Sequence, residues 1–178
     1  RPLKGVEDFL EELNLKEEGD YVTTFNGALV QDAYTGKPIS HLTLDYNDLC
    51  DLYNLSLEIG SRSHFYDTKT VYTFNLDVSD YTILESYLTG AHLNVTTLDK
   101  VPKDIGMSKF MMIDHPEILD ECIKKIPEEY YEKYTIVRST PFFLEILNKN
   151  ANKFFLFCFS SNEKKASCKL YNNILSYV

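Results

Sequence analysis

Residues 109–123 read KFMMIDHPEILDECI and contain both of the patterns that organise the rest of the chain. The first five residues are mostly apolar and predict a buried strand. Pro116 then marks a helix start, where a missing backbone N–H costs little, and Glu117 lies at the positive end of the helix dipole. The spacing places one apolar face of this helix against a core, formed by Ile118, Leu119, Cys122, Ile123 and Ile126.

Short helices and paired strands continue in both directions from this stretch. Apolar spacing predicts helices over residues 5–15, 45–59, 79–88 and 128–133. Strands are predicted over 21–30, 38–44, 65–66, 71–76, 92–98, 109–113, 134–137 and 142–147. The alternation of helices with strand pairs predicts an α+β fold in which helices cover an antiparallel sheet.

Composition excludes several classes of protein. The chain has 178 residues, enough for one ordinary domain or two small ones, and 44% of them are hydrophobic, which suits a packed core. Its formal net charge of -9 argues against a general nucleic-acid binder, because phosphate backbones attract basic surfaces. The longest apolar run covers residues 154–159, whereas a membrane span takes about 20 residues.

The cysteines and the start of the chain point to the cytoplasm. Cys50, Cys122, Cys158 and Cys168 show no zinc-ligand spacing, so we expect free thiols in a reducing compartment. No hydrophobic signal segment follows Arg1. Because this first residue is not Met, we expect that an upstream segment was removed or not included.

Four segments carry a family pattern in their order and spacing: RPLKGVEDFLEEL (1–13), GDYVTTFNGA (19–28), KFMMIDHP (109–116) and KYTIVRSTPFFLEI (133–146). Together they resemble Cof-type haloacid-dehalogenase-superfamily phosphatases with a type IIB cap, most closely the sugar-phosphatase branch. The resemblance covers the chain from Arg1 to about Lys153.

The resemblance implies a division of the chain into four parts. Residues 1–28 would belong to a Rossmann-like α/β core, 29–140 to a cap that selects substrate, 141–153 to the return into the core, and 154–178 to a divergent tail. It also implies that intact relatives hydrolyse small phosphorylated metabolites, such as sugar phosphates, with magnesium and an aspartyl-phosphate intermediate.

The carboxylate motifs of that chemistry do not occur in this sequence. The family's nucleophile lies in Asp-x-Asp and further metal ligands in Gly-Asp-x-x-Asn-Asp, yet this chain contains neither, and its only acidic residue after Lys153 is Glu163. We therefore expect no metal site and an inactive fragment. The alternative is a non-catalytic α+β module that binds a small ligand or a partner protein.

Four residues match functional positions of the family. The resemblance implies that Lys153 binds phosphate during catalysis, although Phe154 replaces the glycine that usually follows. It implies that Arg1, Asn26 and Gly27 bind substrate, Asn26 and Gly27 in a loop and Arg1 at the end of a Thr-Gly-Arg segment. The plainer interpretations are an exposed lysine and an ordinary Asn-Gly turn.

One predicted hairpin and the tail add two hypotheses. Arg62, His64, Asp67 and Lys69 could reach a sugar hydroxyl, but a solvated polar turn explains them more simply. The tail after Lys153 is either an out-of-frame or truncated reading, or a diverged packing strand. The predicted partners are a small phosphorylated metabolite and, through exposed edges of a partial core, a second copy of the chain; no nucleic acid or membrane is expected.

Overall fold

The computed structural model describes residues 2–151 of the chain. Its α-helices are α1 (Glu7–Glu12), α2 (Tyr46–Ile59), α3 (Asp80–Thr89), α4 (Pro116–Ile123) and α5 (Glu128–Lys133). Its strands are β1 (Tyr21–Thr24), β2 (Leu29–Asp32), β3 (Pro38–His41), β4 (Ser63–Tyr66), β5 (Thr70–Thr73), β6 (His92–Val95), β7 (Lys109–Ile113), β8 (Tyr134–Thr140) and β9 (Phe143–Asn148). The predicted element order is confirmed over this range.

The described strands form two sheets. β1, β2 and β3 make an antiparallel sheet of three strands, and the other six form a sheet in the order β6-β5-β4-β7-β9-β8. All neighbours in the larger sheet are antiparallel except β5 and β6, which are parallel. The prediction of an antiparallel sheet is wrong at this pair, because α3 returns the chain to the end at which β5 began.

Polar caps explain where the two longest helices begin and end. Asp45 precedes α2, and its carboxylate accepts hydrogen bonds from the backbone N–H groups of Asn47 and Asp48. The helix ends at Gly60, whose left-handed φ of 82° suits a residue without a side chain. Ser79 and Gly90 play the same roles for α3. These boundaries agree with those predicted from the sequence.

One face of the six-stranded sheet packs against α2, α4 and α5. Side chains alternate between the two faces of a strand, so every second apolar residue points to this side. Its buried members include Leu49, Leu52, Phe65, Phe110, Met112, Leu119, Cys122, Leu144 and Ile146. Ile118 does not join them, because it lies on the outer side of α4 with 42% of its surface exposed. Its predicted core position is wrong.

The opposite face of the six-stranded sheet packs against α3 and against the turn between β1 and β2. Its buried residues include Phe25, Ala28, Leu29, Tyr66, Val71, Met111, Ile113, Phe143 and Leu147. The β1–β2 turn therefore belongs to the smaller sheet by its hydrogen bonds and to the larger sheet by its packing. This junction contains the predicted residues Asn26 and Gly27.

In the part of the chain that the structure describes, no helix combines the length and the hydrophobicity needed to cross a lipid bilayer.

Candidate functional site

The turn between β1 and β2 has an unusual backbone. Three consecutive residues have positive φ values: Phe25 at 50°, Asn26 at 54° and Gly27 at 100°. Asparagine and glycine adopt this region readily, but a bulky residue such as phenylalanine is strained there. The left-handed conformation costs such a residue about 1–2 kcal/mol. Surrounding contacts must therefore hold this turn in its strained conformation. Backbone strain of this kind is often found at functional sites.

Two contacts with the larger sheet hold the turn. The Phe25 side chain is buried, and its ring meets the ring of Tyr66 edge-on, with 5.6 Å between the centroids. Asn26 donates from Nδ2 to Oε2 of Glu145 on β9 at 2.6 Å, although 119 residues separate the two along the chain. The turn is thus fixed by an apolar contact and a polar contact to the same sheet face.

Glu145 belongs to a row of polar side chains on this otherwise apolar face. Neighbouring strands place Tyr66 opposite Lys109, and Met111 opposite both His64 and Glu145. The Lys109 ammonium lies 3.5 Å from the Glu145 carboxylate, 3.4 Å from a Glu85 carboxylate oxygen on α3 and 4.9 Å from the centre of the Tyr66 ring. One buried cation therefore faces two carboxylates.

The pKa values of Glu145 and His64 in this row are both lowered, for different reasons. Burial would raise the pKa of Glu145, but the net shift is downward, and the charge of Lys109 is the largest of the causes that lower it. Burial, helped by Lys109, brings the pKa of His64 well below its ordinary value. At neutral pH, Glu145 is therefore ionised and His64 is uncharged.

The ionised carboxylate determines how the Asn26 amide is oriented. A carboxylate can only accept hydrogen bonds, so the NH₂ group of Asn26 must face Glu145 and the carbonyl oxygen must point elsewhere. Among residues 2–151, no group donates a hydrogen bond to that oxygen, and the Asn26 residue is partly exposed. The turn therefore presents an oriented acceptor, which suits a hydroxyl or ammonium donor.

A nearby histidine–serine pair is unsuited to nucleophilic catalysis. His41 Nε2 lies 3.0 Å from Ser108 Oγ, but Ser108 is buried and donates its own proton to the backbone carbonyl of Asp67. Ser108 must then accept from His41, so this histidine cannot remove the serine proton. The contact fastens β3 to the larger sheet.

The structure describes only two of the four predicted site residues. Asn26 and Gly27 lie together in the β1–β2 turn, whereas Arg1 and Lys153 are outside the described residues, as are the tail and the apolar run 154–159. Their predicted roles stay predictions.

The hypothesis of a sugar-binding hairpin is wrong for His64, which is buried and contacts Thr82 Oγ1 at 3.1 Å and Met111 Sδ at 3.2 Å. The neighbouring charges serve the structure of the hairpin. Arg62 pairs with Asp77 and Asp114, and the carboxylate of Asp67 accepts from backbone N–H groups of the turn.

The described residues do not fit a magnesium site. From residue 2 to residue 151, no three His, Cys, Asp or Glu side chains lie close enough together to hold a metal ion.

Glu145 and Lys109 were not predicted as functional, although the sequence contained a signal. Glu145 is the only charge in the apolar run 142–147, and Lys109 begins the otherwise apolar run 109–113. A single acidic residue in one buried strand and a single basic residue in another predict an ion pair between them.

Comparison with known proteins gives a consistent result. The family model for haloacid dehalogenase-like hydrolases matches residues 1–156. A Bacillus subtilis (strain 168) protein named "Putative phosphatase YxeH" is 52% identical over 153 residues, covering 86% of this chain and 57% of the relative. A similarly named protein of Streptococcus pyogenes serotype M6 is 40% identical over 156 residues, covering 86% of this chain and 56% of the relative. The chain thus spans little more than half the length of these curated relatives.

Solved structures share the fold at low sequence identity. A haloacid dehalogenase-like hydrolase from Bacteroides thetaiotaomicron aligns with a TM-score of 0.77 at 20% identity, covering 91% of this chain and 61% of that chain. A structure described as a HAD subclass IIB sugar phosphatase aligns with a TM-score of 0.58 at 14% identity, covering 82% of this chain and 52% of that chain. At these identities the likeness concerns the fold alone.

Proposed function

The chain belongs to the haloacid dehalogenase-like hydrolase family, and from that membership we propose that it forms the substrate-recognising part of a phosphatase for small phosphorylated metabolites, of which sugar phosphates are the best candidates. The predicted family is therefore confirmed, while substrate and activity belong to this proposal. The name of the Bacillus subtilis relative supports the phosphatase class. One structural neighbour with the same fold is described as a sugar phosphatase, which makes sugar phosphates the first substrates to test.

The observation that carries the proposal is the oriented amide of Asn26. Its carbonyl oxygen is an acceptor, and sugar hydroxyl groups are donors that would fit it. The dianionic phosphate group of a monoester offers no such donor and would approach the Glu145 carboxylate, which repels it. Asn26 would therefore contact the organic part of the substrate, and the phosphate would bind elsewhere in the whole protein.

The chemical step is assigned to residues beyond this sequence. As the family resemblance implies, phosphoryl transfer needs an Asp-x-Asp nucleophile segment and magnesium ligands, and Asp-x-Asp occurs nowhere in the 178 residues. Lys153 and Arg1 would assist at the phosphate. We propose that the 178-residue chain by itself recognises substrate without hydrolysing it.

Two measurements on the 178-residue chain test this proposal. With p-nitrophenyl phosphate and magnesium, we expect no magnesium-dependent hydrolysis. Hydrolysis that is abolished by a chelator would contradict the proposal that this chain recognises substrate without hydrolysing it. In ¹⁵N NMR titrations, we expect millimolar glucose 6-phosphate or fructose 6-phosphate to shift the Asn26 side-chain and Gly27 backbone amide signals. Inorganic phosphate at the same concentration and ionic strength serves as the control.

The two binding outcomes separate the candidate functions. Shifts with a hexose phosphate but not with inorganic phosphate support recognition of the sugar. Equal shifts with both would place phosphate at Asn26 and overturn the assignment of this residue. No shift with any phosphorylated probe would favour the non-catalytic partner-binding module.

A further inference from the structure

The ion pair between Lys109 and Glu145 lies where an apolar pair would be expected. Lys109 has 2% of its surface exposed and Glu145 has 7%. Apolar residues flank them on the same sheet face, namely Met111, Ile113, Phe143 and Leu147. Replacing such a buried pair with apolar residues is often neutral or stabilising. Stability alone therefore does not account for the pair.

Glu145 differs from the other carboxylate that Lys109 contacts. Glu85 Oε1 and Glu145 Oε2 lie at nearly equal distances from the Lys109 ammonium, at 3.4 and 3.5 Å. Of these two carboxylates, Glu145 alone also accepts from Asn26, and that bond is much shorter, at 2.6 Å. Glu145 thus connects the cation in the sheet to the strained turn, whereas Glu85 connects it to α3.

We propose that Glu145 is a positioning residue: paired with Lys109, its carboxylate fixes the orientation of the Asn26 amide and holds residues 25–27 in their left-handed conformation. The use of that amide for a substrate hydroxyl rests on the proposed function, but the positioning itself does not. Three further groups face this pair: Glu85 from α3, and His64 and Tyr66 from β4. Burial is the main cause that lowers the pKa of His64 and raises the pKa of Tyr66. Both side chains are therefore uncharged at neutral pH.

The experiment follows the Asn26 side-chain NH₂ group by ¹⁵N NMR in the 178-residue chain. Its signal is assigned as the one missing from the Asn26→Asp variant. In the unsubstituted protein, we expect this signal to stay constant from pH 7 downward and to move only below the ordinary glutamate range, because it reports the protonation of Glu145. A signal that does not move at any pH at which the fold persists would overturn the proposal.

Two substitutions provide matched variants. Glu145→Gln keeps the size of the side chain and removes its charge, so the pH-dependent shift of the Asn26 signal should disappear. The same variant should exchange its Asn26 NH₂ protons about tenfold faster, since the restraint on the amide is weaker. Glu85→Gln removes a carboxylate from the same lysine without touching Asn26, and it should leave both readouts within about twofold of the original protein.

The outcomes separate this inference from the proposed function. If Glu145→Gln and Glu85→Gln behave alike, Glu145 is an ordinary partner of Lys109 and the inference is wrong. If Asn26 follows Glu145 but no hexose phosphate shifts the turn, the positioning role stands and the assignment to a sugar phosphatase fails. Should Glu145→Gln not fold, the pH titration of the unsubstituted protein still decides.

Discussion

At the scale of single residues, the Lys109 ammonium group contacts two neighbouring carboxylates. The lysine is buried between Glu145 and Glu85, and both carboxylates lie within 3.5 Å of its ammonium group. Lowering the pKa of Glu145 is a consequence of this arrangement, because burial without a cation would raise it. The pair is thus costly to assemble and still more costly to break.

Substituting Lys109 with Met should destabilise the protein strongly at neutral pH. Removing one partner of a buried pair leaves uncompensated charge, which costs about 3–5 kcal/mol. In the original protein, the lowered pKa of Glu145 gives a contribution to stability that is present above the ordinary glutamate pKa. That contribution is lost as the pH falls through the folded-state value.

In the Lys109→Met variant, the pH dependence of the Glu145 contribution to stability is reversed. Burial now raises the pKa of Glu145, so the folded state takes up a proton more readily. The difference in unfolding free energy between the two proteins should therefore shrink from pH 7 to about pH 4.5. Urea unfolding at the two pH values measures it. A difference that does not change with pH would contradict the charge argument. Lys124→Met, at an exposed pair with Glu121, should cost less than about 1 kcal/mol at both pH values.

At the scale of elements, helix α2 is determined locally. The Asp45 carboxylate accepts from two backbone N–H groups at 2.8 and 2.9 Å, and Asp48 returns a hydrogen bond by accepting from the Asp45 N–H. This reciprocal arrangement satisfies donors that the first turn of a helix leaves without partners. It explains why the predicted start of α2 is confirmed.

The Asp45→Ala substitution tests that account. We expect a loss of about 1 kcal/mol in unfolding free energy, since alanine offers no acceptor to the first turn. Glu58→Ala, at an exposed position near the other end of α2, is the control and should change stability by less than about 0.5 kcal/mol. If both variants lose the same amount, the cap does not stabilise the helix. Urea denaturation followed by circular dichroism gives both values.

Elements fixed by nearby residues were predictable, and relations between distant segments were not. The pattern of α3, with Ser79 before it and Gly90 after it, is complete within about a dozen residues. The parallel pairing of β5 with β6 depends on how α3 packs across the sheet, which no local pattern contains. For the same reason, Asn26 and Gly27 were identifiable as a turn, whereas its bond to Glu145 joins residues that are 119 positions apart.

At the scale of the whole molecule, helix α3 exposes several apolar side chains. Its inner side buries Thr82 and Thr89, while its outer side exposes Ile83, Tyr87 and Leu88. The preceding segment adds Leu76, with 90% of its surface exposed. Exposed apolar side chains of this kind favour association, and the net charge of -9 opposes it by repulsion between copies.

We therefore expect the purified 178-residue chain to self-associate, and to do so more strongly at about 0.5 M salt, where repulsion between copies is screened. The double variant Ile83→Glu/Tyr87→Lys should reduce association. It keeps the net charge at -9 and places opposite charges four positions apart on a helix, an arrangement that supports the helix itself. Sedimentation velocity over a range of protein concentrations measures the effect. Leu57→Gln, on the opposite face of the larger sheet in α2, is the control and should leave association unchanged. A monomer at every concentration and salt level, or equal effects of the two variants, would show that the outer side of α3 is not the associating surface.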